Sequence, residues 1–170
     1  MANVLVAPPT DVLNASTLLG TALTTTAGTL GSGSPRVASK VITFTGASGL
    51  GLHGTATTCF TVTGLILVEF IAGRCTTNLA GATATLTLGT TNKTTVFIGT
   101  TTATGLATTT AIWVSTTPTQ GALVLPAAMM NTAIEENVIV SSTHVSADIT
   151  SGVLRIEMIW RPLTPGATVV

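Results

Sequence analysis

Residues 152–162, GVLRIEMIWRP, decide the fold class. Leu154, Ile156, Met158 and Trp160 alternate with Arg155, Glu157, Ile159 and Arg161, so one face is apolar and the other carries three charges. A period of two over this length is the signature of a half-buried strand, because successive side chains point to opposite sides of the pleat. The same period appears upstream. In ATATLTLG (82–89), Ala84, Leu86 and Leu88 read as inward and Thr83, Thr85 and Thr87 as outward. In VASKVITFTG (37–46), Ile42 and Phe44 face one way while Val41, Thr43 and Thr45 face the other. CFTVTGLILVEFIAGRC (59–75) reads as one long strand, or as two broken at Gly64. TTVFIG, TTAIWVS, GALVLP and MMNTAIEENVIVSST complete the set, the first two with Gly- and Thr-rich turns between them. About eight strands without a convincing amphipathic helix predict an all-β antiparallel β-sandwich or jelly roll.

Composition agrees. Thr makes up about a fifth of the chain and favours strands, since β-branching restricts χ1 in a helix and packs well on a pleated surface. Charged residues are only 7%, against about a quarter in ordinary globular domains, and the formal net charge is zero. So sparse a set of ionisable groups offers little acid–base chemistry, and the expected role is structural and not enzymatic. Arg36, Lys40, Arg74, Lys93, Arg155 and Arg161 are scattered, which gives no electrostatic footprint for nucleic acid. The longest apolar stretch, 65–72, is too short to span a bilayer and contains Glu69. MANVLVAPPTDVLN shows no secretory pattern, so the chain is expected to be made in the cytoplasm and to involve no membrane.

Residues 1–35 differ from the β domain expected over 36–170. They combine a Pro-Pro pair with a Thr/Gly/Ser-rich run that ends in GSGSP, a flexible joint. Asp11 is placed to cap a short helical turn over 12–19. Val4, Leu5, Val6, Leu13, Leu18 and Leu19 are more apolar than a solvated tail requires, so an extended arm docking on a neighbouring subunit is favoured over a disordered tail.

Several motifs invite chemistry, and their context argues against it. GLGLHG (49–54) matches a dinucleotide fingerprint with Glu69 downstream, but TATTCFTVTG follows it where the pyrophosphate would need a helix N-terminus. It reads as a flexible glycine loop, and no cofactor is expected. Ser141, Ser142, His144 and Asp148 are close in sequence without a nucleophile elbow. Glu135 and Glu136 are adjacent, so on an extended chain they point apart and suit a charged turn better than paired catalysis. Cys59 and Cys75 read as buried thiols, with a disulfide as the alternative, and two Cys with two distant His make no metal site. Trp160 is expected in the core. Trp113 is the sole candidate for an exposed sugar platform, against the general habit of Trp burial. Asn92-Lys93-Thr94 and Asn14-Ala15-Ser16 are formal glycosylation sequons.

FTVTG (60–64), LAGATATLTLGTT (79–91), TTTATGLATTTAIWVSTTPT (100–119), ENVIVSST (136–143) and ADITSGVLRIEMIWRPLTPG (147–166), with the close Trp160-Arg161-Pro162-Leu163, resemble small β-sandwich virion proteins of tailed bacteriophages. The similarity spans roughly residues 57–166 and lies in texture and order more than in a rigid motif. It implies a capsid decoration, or cement, protein on the virion surface, with the major capsid protein as partner and no catalytic residues. Junctions of three-fold or quasi-three-fold symmetry make a homotrimer the natural expectation. A tail, fibre or head-spike component binding a host glycan is the alternative.

Overall fold

The computed structural model describes residues 23–25, 28–30, 34–46, 51–106, 111–118, 131–142 and 147–170. Val4, Leu5, Val6, Leu13, Leu18 and Leu19 lie outside these residues, as do the turn expected over 12–19 and the segment GALVLP. The strands are β1 (Leu23–Thr25), β2 (Gly28–Leu30), β3 (Arg36–Phe44), β4 (Ala56–Phe60), β5 (Val62–Thr63), β6 (Ile66–Ala80), β7 (Thr85–Thr90), β8 (Ile98–Thr102), β9 (Ile112–Trp113), β10 (Thr132–Ile134), β11 (Val138–Ser142), β12 (Ser151–Pro162) and β13 (Thr168–Val169). A 3-10 turn, Ala103–Leu106, follows β8. The chain is all-β with antiparallel pairing throughout, in thirteen strand segments among the described residues where the sequence suggested about eight. The surplus comes from short segments such as β5, β9 and β13, two residues each, which carry too little sequence to show a period.

A five-stranded sheet runs β10-β6-β12-β3, with β9 also pairing with β6, and a four-stranded sheet runs β4-β11-β7-β8. Two small ladders, β1-β2 and β13-β5, stand apart from them. The break foreseen at Gly64 is real. Gly64 has φ +74°, and a Cβ there would lie 2.8 Å from Thr164 Oγ1, so only glycine makes this turn easily. It separates the two-residue β5 from the fifteen-residue β6. Among the described residues no helix is long and apolar enough to cross a membrane.

β12 behaves as its sequence demands. Leu154, Ile156, Met158 and Trp160 are buried, while Arg155 and Glu157 are exposed and Ile159 and Arg161 half-buried. Inward residues of both large sheets, among them Ile66, Val68, Ile71, Leu86, Leu88 and Val140, join them in one hydrophobic core. Burying each large aliphatic side chain stabilises by about 1.5–3 kcal/mol, so β12, paired with β3 on one side and, through three register shifts, with β6 on the other, anchors the sheet.

β7 departs from expectation. Thr85 and Thr87 were expected on an exposed face, yet Thr87 is only 1% exposed and Thr85 is buried as well. β7 is an interior strand of its sheet, and its outer face is covered too. At Gly89 the cover is the following connection: a Cβ there would lie 2.3 Å from Lys93 O. The hydroxyls of Thr85 and Thr87 are buried without a hydrogen-bond partner. An unsatisfied buried hydroxyl is unfavourable, so Thr87→Val, of similar shape, is expected to raise stability by about 1 kcal/mol. Urea unfolding checks this; a loss of stability would mean the hydroxyl is satisfied in solution.

Candidate interaction surface

The solvent face of the five-stranded sheet is built in rows by strand register. Val37 pairs with Ile159, which pairs with Phe70, so one apolar row crosses three strands. The next row is Ser39, Glu157 and Ala72, and the one after is Val41, Arg155 and Arg74. Val37 is 76% exposed and Val41 57%, while Phe70 and Ile159 are half-buried. Beside them Phe70, Ala72, Gly73, Arg74, Ile112 and Glu157 bound a shallow cleft of about 270 Å³.

Charges on this face are largely neutralised from within. Arg155 Nε lies 2.9 Å from Glu157 Oε1 and donates to Ser39 Oγ at 3.0 Å. The two residues sit two apart on one strand face and meet each other. Arg161 pairs with Glu69. Exposed pairs of this kind add little stability, but they reduce the charge that a docking partner must desolvate.

β3 closes one side of the sheet, and its far side has no strand neighbour among the described residues. Its first half inverts the usual pattern. Arg36, Ala38 and Lys40 share the face of Ile42 and Phe44, whereas the exposed valines point outward. Arg36 lies over the Trp160 ring, 5.2 Å from its centroid, a cation–π contact that shields the end of the core. A cation directed inward on an edge strand is a recognised guard against indiscriminate strand pairing.

The residues that suggested chemistry fall elsewhere. Trp113 is a correction: it is fully buried, and its Nε1 donates to Thr101 Oγ1 at 2.9 Å. Gly73 makes room for it, since a Cβ there would sit 2.8 Å from Trp113 Cε3. Asp148 does not meet Ser141. Its Oδ1 accepts from His53 N at 2.9 Å and lies 3.4 Å from His53 Nδ1, and these bonds hold its carboxyl below the usual range. His144 is outside the described residues. The glycine run leads into strand β4, and Gly51 O accepts from Ile149 N at 2.7 Å, so this loop is tied to the segment before β12.

Glu136 anchors a turn. Its carboxylate accepts from Asn92 N at 3.0 Å and Asn92 Nδ2 at 2.8 Å, and the Thr90 hydroxyl followed by these Asn92 donors pulls its pKa down. Neither long-range contact, Asp148 with His53 or Glu136 with Asn92, has any signal in local sequence. Among the described residues no group of three or more His, Cys, Asp or Glu gathers as a metal site.

Both cysteines are free and buried. Burial pushes the Cys59 thiol up to about 12 and raises that of Cys75, whose Sγ donates to Leu106 O at 2.8 Å. Because the thiolate is the reactive form, neither should react with a water-soluble disulfide reagent in the folded protein, and both should do so in denaturant. Rapid native labelling of either would contradict this placement.

Comparison with protein-family models, with curated proteins and with solved structures finds no match.

Proposed function

We propose that this chain is a structural virion protein that binds the outer surface of a tailed-phage capsid and stabilises the junctions between capsomers. The supporting observation is the apolar row Val37–Ile159–Phe70, on a sheet face whose ions are mostly paired among themselves and beside a strand, β3, that has no further strand neighbour among the described residues. Such a face suits burial against protein. A ligand that binds only the assembled shell stabilises it by mass action, so contact converts directly into resistance to rupture. The reading places the protein at the capsid surface after synthesis in the host cytoplasm, with the major capsid protein as partner. It acts there as a homo-oligomer, a trimer at three-fold junctions. Two antiparallel sheets around one core fit the sandwich or jelly-roll scheme for residues 36–170, with 1–35 as the arm. The alternative, a tail, fibre or head-spike component with glycan affinity, lacks the platform first considered for it, because Trp113 is buried.

The test is to add purified protein to shells lacking it, and to measure co-sedimentation and the temperature of shell rupture. Saturable binding with a raised rupture temperature is expected. No binding would overturn the proposal. Deleting residues 1–34 should weaken binding; equal affinity would remove the arm from the account.

A further inference from the structure

One row on the outer face of the five-stranded sheet sets two cations side by side. Val41, Arg155, Arg74 and Ile112 stand in register across β3, β12, β6 and β9. Arg155 is paired with Glu157, whereas Arg74 is exposed and makes no ion pair among the described residues. Like charges opposite each other on neighbouring strands repel, so this row favours one more carboxylate. Arg74 also bounds the cleft of about 270 Å³, together with the apolar residues Phe70, Ala72 and Ile112. The occupant that suits it carries an apolar side chain close to an acid.

The chain holds such a segment. Glu69, Glu157, Asp148 and Glu136 already have partners in Arg161, Arg155, His53 and Asn92. Glu135 lines a separate cleft with Lys93. The remaining acid is Asp11, which lies outside the described residues and is followed directly by Val12 and Leu13. It is the only charged side chain before Arg36. One carboxylate oxygen serves the cap expected over 12–19, which leaves the other for a guanidinium. Reach is sufficient. Arg36 pairs with Trp160 and Trp160 with Val68, so Arg74 lies about 20 Å from the start of β3. Outside the β1-β2 ladder, residues 14–22 and 31–35 can extend to about 45 Å.

We infer that Asp11, Val12 and Leu13 dock on the outer face of their own chain, with the Asp11 carboxylate on Arg74 and Leu13 in the cleft beside Phe70 and Ile112. A short tether gives this contact an effective concentration of about millimolar, which favours it over the same contact between copies. The contact is centred on β6 and β9, two strands away from the exposed valines of β3. It takes up the arm of the reading above, but it concerns the free protein and does not depend on where that protein assembles.

The experiment is limited chymotrypsin digestion of the full chain, with cleavage after Leu13 followed by mass spectrometry. Wild type is compared with Asp11→Arg, Arg74→Glu and the two combined, and far-UV circular dichroism checks folding. A synthetic peptide of residues 1–22 supplies the unprotected rate. Wild type should be cut more slowly than the peptide. Each single reversal replaces an attractive exposed pair with a repulsive one and should raise the rate at least about threefold, and the combination should restore most of the protection. A wild type cut as fast as the peptide would overturn the proposal while leaving shell binding untouched. Unchanged rates in both single variants would also overturn it, as would a folded double variant that stays unprotected. Protection that rises with protein concentration would assign the segment to a second copy and overturn docking on its own chain.

Discussion

Trp113→Ala is expected to destabilise the protein by about 3–5 kcal/mol, a large part of the total stability of a domain this size. The indole is fully buried, on a strand of only two residues held to β6 by the pairs Gly73–Trp113 and Arg74–Ile112. Its removal opens a cavity above Gly73, and little can move in, because β6 is fixed between β12 and the β9/β10 flank. The variant also loses the bond from Nε1 to Thr101 Oγ1. Trp113→Phe separates the two effects, keeping most of the volume and losing only the bond, for about 1–2 kcal/mol. The complementary change, Gly73→Ala, drives a methyl to within 2.8 Å of the ring and should also destabilise. Urea unfolding followed by far-UV circular dichroism measures all three. A loss below about 1 kcal/mol for Trp113→Ala would mean the ring does not seal this end of the core.

Gly152→Ala is the second large effect, expected at about 3 kcal/mol or more. Gly152 has φ +118°, a region side chains rarely enter, and it sits at the register shift where β12 begins its ladder with β6. A Cβ would lie 2.5 Å from Leu79 Cδ2, 2.6 Å from Asn78 O and 2.7 Å from Leu79 Cα. Two of these three are backbone atoms, so the strand itself would have to shift. Gly54→Ala is the control. Its φ of +70° is also positive, but nothing lies within 4 Å, so only the backbone preference is lost, about 1 kcal/mol. Equal thermal shifts for the two variants would contradict the crowding at Gly152.

What could be read from the sequence follows the same physics. β12 was legible because its apolar and charged residues differ strongly in transfer free energy, so period two leaves little ambiguity about which face is buried. β7 was half legible. Ala84, Leu86 and Leu88 are buried as read, but Thr is small and tolerates either side, so alternation with Thr does not reveal that both faces are covered. The burial of Trp113 depends on Gly73, forty positions away, which forms a notch only once β9 lies against β6. The surface at β3 was hidden for a different reason: its cations share the face of the core residues and its valines point outward, the reverse of the usual pattern. That inversion is now the strongest local sign of a contact surface. The arm residues first singled out lie outside the described residues, so attention moves from residues 1–35 to β3 and the sheet behind it.

The most direct test of the central claim is the copy number of this chain relative to the major shell protein in purified particles, by quantitative mass spectrometry with isotope-labelled standard peptides. A structural role at capsomer junctions predicts abundance on the scale of the shell protein itself, in fixed proportion from preparation to preparation. A few copies per particle would contradict the capsid-surface role and move the chain to a tail or vertex, and complete absence would contradict a virion role altogether.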